Sequence, residues 1–232
     1  MSAVYLAESG FMARGSRQPQ RDEPWNWYVW HFTHIDNIQD IVASAELRAA
    51  CAQVPRVNVA YPSAKRLRST IVVNPPGDYP SGRTVDEHVP FYIAAKSPML
   101  YVVMRGHDGY RGGGDPLVFL GATIGDLANH GLTWCVSDRS AASPFATYTC
   151  DLQTLGSFVD FDLLCQRMWN NTPSDPDRKT RRGAELLALD SVPLTCITTV
   201  IAKSAEVLRR AEAMLDSVGG DRQYHVLPRM FF

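Results

Sequence analysis

Between residues 28 and 45 the chain passes from a strand period to a helical one with no linker in between. In Tyr28-Val-Trp-His-Phe-Thr33, the residues Tyr28, Trp30 and Phe32 share one face, and Val29, His31 and Thr33 share the other. Ile35, Ile38, Ile41, Val42 and Ala45 then recur at helical spacing. Thr33-His-Ile-Asp36, at the join, has the form of a capping box with Asp in place of Glu. A strand that feeds straight into a helix brings His31 and Thr33 to a helix N-terminus, where free N–H groups and the dipole favour an anion. A core histidine bonded to backbone would suit the same pattern.

Further along, strand periods are expected over 89–95, 117–122, 132–136, 185–189, 195–202 and 224–227. Ser97-Pro98 reads as an N-cap with Pro at the first helical position, so a helix is expected over 99–104. A short helix or turn is expected over 60–69, and a helix over 161–169. Ser204 caps a last helix whose Val207, Leu208, Ala211, Met214 and Leu215 share a face, ended by Gly219-Gly220. Residues 170–183 read as a polar loop. Strands and helices mix without a βαβ rhythm, and no linker separates two cores. The expectation is one α+β domain over 25–232, preceded by a flexible polar arm over 1–24.

Lys and Arg number 23 against 24 Asp and Glu, so no polybasic tail is present, although a balanced total can hide a basic cleft. The five cysteines are widely spaced, with no CxxC and no clustered histidines, which argues against zinc and for reduced thiols. The first residues lack the apolar core of a secretory signal, and no uncharged apolar run is long enough to span a bilayer. A cytoplasmic protein without a membrane segment is expected.

No P-loop, GxSxG or HExxH occurs, and Arg111-Gly-Gly-Gly-Asp115 lacks the spacing of a dinucleotide loop. Three constellations remain: His31-Phe-Thr33 at a strand end, the basic run Lys65-Arg-Leu-Arg68, and Arg178-Lys-Thr-Arg-Arg-Gly-Ala-Glu185. The charges of the last two also suit solvated surface. A carboxylate at the lip of an apolar strand, just after four cations, is what solvation alone leaves unexplained.

Taken in order, Tyr28-Val-Trp-His31-Phe-Thr33-His-Ile-Asp-Asn37-Ile, Val59-Ala-Tyr61, Val89-Pro-Phe-Tyr92-Ile-Ala-Ala-Lys96-Ser-Pro-Met99-Leu-Tyr101 and Ala184-Glu185-Leu resemble the DarT family. These are DNA ADP-ribosyltransferase toxins of bacterial toxin–antitoxin pairs. The resemblance implies an ADP-ribosyltransferase-like fold, a split mixed β-sheet core with flanking helices. It implies NAD+ as co-substrate, no metal, and a base in single-stranded DNA, usually thymine, as acceptor. It also implies a cognate macrodomain antitoxin as partner. By motif, Glu185 and Arg68 are the expected catalytic pair, and His31, Thr33, Asn37 and Arg68 are expected to hold NAD+. Tyr92, Lys96, Met99, Arg178, Lys179, Arg181 and Arg182 are expected to meet DNA, within a loop over 166–184 that orders over substrate. Relatives often carry arginine where this chain has Lys96, and a lysine cannot form a bidentate phosphate contact. A protein- or RNA-directed transferase and a non-catalytic DNA-binding module are the rival readings.

Overall fold

The structure, a computed structural model, describes residues 8–15 and 18–232. The strand expected at 28–33 forms as β1 (Tyr28–His34) and leads through a 3-10 turn into α1 (Ile38–Ser44). The capping box at the join does not form. His34, one residue later than expected, accepts from the Asp36 amide, because the Thr33 hydroxyl already accepts from Asn37 and Thr33 stays paired in the sheet. The Ile35 amide donates to the Pro116 carbonyl. The first free N–H groups of the expected anion site are therefore already bonded within the chain.

After β2 (Glu46–Arg48) comes α2 (Pro62–Arg68), then β3 (His88–Tyr92) and α3 (Pro98–Arg105). The Ser97 hydroxyl accepts from the Leu100 amide, as its N-cap position requires. Next are β4 (Leu117–Thr123), α4 (Ile124–Asn129), β5 (Trp134–Ser137) and β6 (Tyr148–Thr149). Two short helices, α5 (Leu155–Phe158) and α6 (Phe161–Cys165), follow, so the helix expected over 161–169 stops early. The polar loop then contains α7 (Arg178–Arg182), directly before β7 (Glu185–Leu189) and β8 (Ser191–Pro193). The chain closes with β9 (Thr199–Ala202), α8 (Ala205–Leu215) capped by Ser204, and β10 (Gln223–Val226).

Eight strands form one sheet in the order β10-β9-β4-β1-β3-β7-β5-β6, with β10 and β9 parallel and the other neighbours antiparallel. β4 is buried along its whole length, as a continuous apolar run in a sheet centre should be. Gly121 on β4 faces Trp30, where a Cβ would lie 2.3 Å from the indole ring, so no larger residue fits. One face of the sheet packs Val29, Val118, Leu120 and Val200 under α1 and α8. The other packs Trp30, Phe32, Phe119 and Ile201 against Leu100, Val103 and Phe231.

β1 and β3 share one residue pair, Trp30 with Tyr92, whereas β1 meets β4 through seven pairs and β3 meets β7 through five. The sheet is thus split at its middle, and its two halves diverge from that pair. Pro90 sits on this divergent edge. Its carbonyl points towards β1, so its missing N–H would have pointed there too and leaves the β7 ladder intact.

The flexible arm expected over 1–24 is corrected for its described residues. Phe11 and Met12 are buried; Phe11 bridges to Ala94 and Ala13 to Trp27. The Phe11 ring meets Trp27 and Phe161 edge-on, at 5.1 and 5.6 Å. Arg14 pairs with Asp126 at the start of α4. Phe11 and Met12 are too few to give a period, which is why they were not visible as an element. Residues 1–7, 16 and 17 lie outside the described residues.

Candidate active site

The divergence of β1 from β3 opens a cleft of about 210 Å3, with His31 and Thr33 on one wall and His88, Pro90 and Tyr92 on the other. Lys65 and Arg68 from α2, and Met99, also line it.

Glu185, the first residue of β7 and the register partner of Tyr92, is fully buried. Arg68 Nη1 donates to Oε1 at 3.1 Å and to Oε2 at 3.0 Å, and the Ala141 amide donates to Oε1 at 2.9 Å. Ser137 fixes the Glu185 backbone, its hydroxyl donating to the Glu185 carbonyl and accepting from the Glu185 amide. Carboxylate and strand lip are therefore held separately.

Arg68 ends α2, where a cation complements the helix dipole. No residue of α2 is fully buried, and Arg68, with 15% of its side chain exposed, reaches furthest inward, so the tie to Glu185 is a main anchor for the helix. Burial acts to lower the Arg68 pKa, and Glu185 together with Tyr92 and Tyr148 more than offsets it, holding the guanidinium above its ordinary range. Nη2 of Arg68 is buried and has no hydrogen-bond partner. An unmet buried donor costs about 1–3 kcal/mol, so this charged donor is one that an anionic ligand oxygen would satisfy.

His31 Nδ1 lies 3.0 Å from the Pro90 carbonyl. A carbonyl only accepts, so Nδ1 carries the proton and Nε2 is left as an acceptor. Burial, with Arg68 adding repulsion and the Pro90 bond opposing, lowers the His31 pKa and keeps the ring neutral at pH 7. The Thr33 hydroxyl accepts from Asn37 and keeps its own proton for donation. Asn37 also lines the cleft, and it is tied into the protein around it. Its amide donates to Thr33 and to the Val57 carbonyl, and its oxygen accepts from the Val57 amide, so it clamps the segment before α2. Both of its donors are engaged by the protein.

The expected DNA contacts separate into groups. Tyr92 and Met99 line the cleft, whereas Lys96 lines a second pocket. Lys179 is exposed on α7. Arg178 bonds to Asn170, Gln166 and Met168 and staples the preceding loop. Arg181 pairs with Asp160 and Asp175. Arg182 is fully buried and donates to the carbonyls of Lys96, Leu163, Leu164, Gln166 and Ser9. Burial pushes its pKa down to about 10. Arg182 therefore cannot meet DNA, because it fills the orphan carbonyls at the end of α6. Removing it should leave several buried carbonyls unmet. Arg182→Ala is expected to lose about 3 kcal/mol or more, and the melting temperature to fall by roughly 10 °C in thermal denaturation. A shift of about 2 °C or less would show that these carbonyls find water instead.

Four residues of the site carried no signal in the sequence. Ser137 and Ala141 act through a hydroxyl and a backbone amide. Tyr148 is buried next to the pair, its hydroxyl lacks a partner, and burial together with Glu185 raises its pKa. His88 also joins the wall, donating from Nδ1 to the Thr84 carbonyl and accepting from the Tyr79 hydroxyl at 2.8 Å. Among the described residues no group of His, Cys, Asp and Glu is arranged to hold a metal ion, and no helix is long and apolar enough to cross a membrane.

Comparison with known proteins gives a consistent result. The family model described as "ssDNA thymidine ADP-ribosyltransferase, DarT" matches residues 30–232. A DNA ADP-ribosyl transferase of Mycobacterium tuberculosis is 49% identical over 232 residues, covering 100% of both chains. Among solved structures, Thermus sp. 2.9 DarT in complex with ADP-ribosylated ssDNA aligns with a TM-score of 0.79 at 24% identity, over 95% of this chain and 100% of that one. Thermosipho africanus DarTG in complex with ADP-ribose aligns with a TM-score of 0.63 at 15% identity, over 88% of this chain and 51% of that longer one. At these identities the structural likeness carries the fold: an α+β, ADP-ribosyltransferase-like split sheet with flanking helices.

Proposed function

The chain belongs to the DarT family of single-stranded-DNA thymidine ADP-ribosyltransferases, and from that premise we propose that the cleft between β1 and β3 binds NAD+ and places it beside Glu185 and Arg68. The observation that carries this reading is the buried Arg68–Glu185 pair at the lip of β7, with Arg68 Nη2 still unmet.

NAD+ supplies the ADP-ribosyl group, with nicotinamide leaving and a thymine base of the single strand as acceptor. Breaking the bond between nicotinamide and ribose builds positive charge on the sugar. A carboxylate held by two charged bonds and one amide, away from bulk water, stabilises that charge without having to reorient. Arg68 has one face on Glu185 and an unmet donor for an anionic oxygen such as a phosphate's. Neutral His31 offers Nε2 to a hydroxyl, and Thr33 offers its proton, so both suit the sugar beside the leaving group. Tyr92, stacked on Phe32 at 5.9 Å, gives that end of the cleft an aromatic wall for an unstacked base.

The wider setting follows from the family. We place the chain as the toxin of a toxin–antitoxin pair, countered by a macrodomain antitoxin and acting in the cytoplasm. Five cysteines without a disulfide suit a reducing compartment.

Incubation with NAD+ and a mixed single-stranded oligonucleotide, followed by mass spectrometry, tests the reading. One ADP-ribose on a thymine is expected. Transfer to protein or to RNA with DNA untouched would favour the rival transferases and overturn the acceptor.

A further inference from the structure

Lys96, Arg167 and Arg229 border a second pocket of about 390 Å3, with Phe231 as its apolar wall and Glu8 as its one carboxylate. None of these cations is well paired. Among the described residues no acceptor reaches Lys96 Nζ or the Arg229 guanidinium. Arg167 lies 3.8 Å from Glu8, but both side chains are largely exposed, at 72% and 77%, so water screens them. Burial and the neighbouring Arg167 lower the Lys96 pKa, and Glu8 only partly offsets them. Like charges crowded in this way are a cost that an anionic ligand removes.

The pocket adjoins the cleft. Lys96 and Met99 belong to one turn at the start of α3, with Lys96 in the pocket and Met99 in the cleft. Beyond the pocket, Tyr101, Trp169 and Phe232 meet edge-on with centroids 5.3–6.3 Å apart. Tyr101 and Phe232 remain 39% and 44% exposed, and the Arg105 guanidinium lies 5.3 Å from the Tyr101 ring. Cations for phosphates beside open aromatic faces are what a flexible single strand needs, since every base has a face to stack.

We propose that the Lys96–Arg167–Arg229 pocket binds a backbone phosphate of the single strand flanking the target nucleotide, and that Tyr101 and Phe232 take a neighbouring base. This rests on the reading of the cleft as the site of DNA modification. The strand then leaves the cleft past Met99 and crosses the pocket to reach the aromatic cluster. Arg178 contributes indirectly, by fixing the loop that presents Arg167 and Trp169.

The test compares the full chain with R167Q/R229Q, using one thymine-containing single-stranded oligonucleotide at several salt concentrations. Both residues are exposed, so the fold should hold, and NAD+ affinity without DNA should match wild type. Oligonucleotide affinity should fall about tenfold at low salt, and the slope of log K against log salt should flatten by roughly 0.7, the value for the one phosphate charge left unneutralised. R111Q/R209Q, with two exposed arginines elsewhere, should leave both values near wild type. Tyr101→Leu should weaken binding about tenfold without altering the slope, because stacking releases no counterion. An unchanged affinity and slope in R167Q/R229Q, or an equal loss in R111Q/R209Q, would overturn the pocket while wild type still modifies DNA. If wild type does not modify DNA, the cleft reading fails and the pocket falls with it.

Discussion

Glu185→Gln is expected to lower DNA modification by on the order of 100-fold or more, the scale of a preorganised group that meets transition-state charge. The substitution keeps the shape of the side chain and an oxygen for the Ala141 amide. It removes the negative charge that the bond-breaking step needs. Arg68 keeps some access to water, with 15% of its side chain exposed, so the fold should survive the loss of its counter-charge. Binding of NAD+ should change much less than turnover, because the Arg68 donor remains. Glu185→Ala is a poorer test. It leaves the Arg68 guanidinium and the Ala141 amide without any acceptor, where Gln keeps an oxygen, and so confuses folding with chemistry. Single-turnover rates on an oligonucleotide, with melting curves beside them, separate the two. Activity within a few fold of wild type would remove Glu185 from the chemistry.

The residues of this pair are 117 positions apart, and each alone reads as ordinary charge at the edge of an element. What joined them in the sequence was the ordered set of family motifs. Local physics did reach other parts of the fold. The alternation over 28–33, the Ser97 cap and the Ser204-capped face of α8 each rest on one period or one hydroxyl, and each forms as read. The Thr33–Asp36 cap failed because its hydroxyl had a competing partner in Asn37, which no local pattern shows.

The basic run before Glu185 shows a second limit. Four cations in five residues have the look of a phosphate track, but composition does not say which way side chains point. α7 turns Arg182 inward and sets Arg178 and Arg181 against its own neighbourhood, leaving Lys179 outward. The exposed cations of the second pocket, Arg167 and Arg229, stand alone in the sequence and meet Lys96 only in the fold. In the same way Phe11 and Met12 looked like part of a polar arm until Trp27 and Phe161 were placed around them.

Arg68 is asked to do two things at once, and Arg68→Lys separates them. Lysine retains a positive charge for Glu185, so the buried carboxylate keeps a counter-ion and the protein should stay folded. Lysine has one terminal nitrogen, which cannot stand both where Nη1 meets the carboxylate and where Nη2 offers its separate donor. Losing one charged hydrogen bond to substrate costs about 1.5–3 kcal/mol, which is roughly 10- to 150-fold. The loss should appear in kcat/KM for NAD+, with KM rising and kcat falling, because one group serves both the anion in the cleft and the orientation of Glu185. Arg68→Ala should be worse in a different way, since an unpaired buried Glu185 destabilises the fold by about 3–5 kcal/mol. Arg66, two residues earlier, is exposed on the same helix and should tolerate alanine with activity within about twofold, as a surface change does. Steady-state kinetics on the three variants, alongside melting temperatures, decide the matter. Equal and mild effects at 66 and 68 would mean that the guanidinium of Arg68 steadies α2 and takes no part in the reaction.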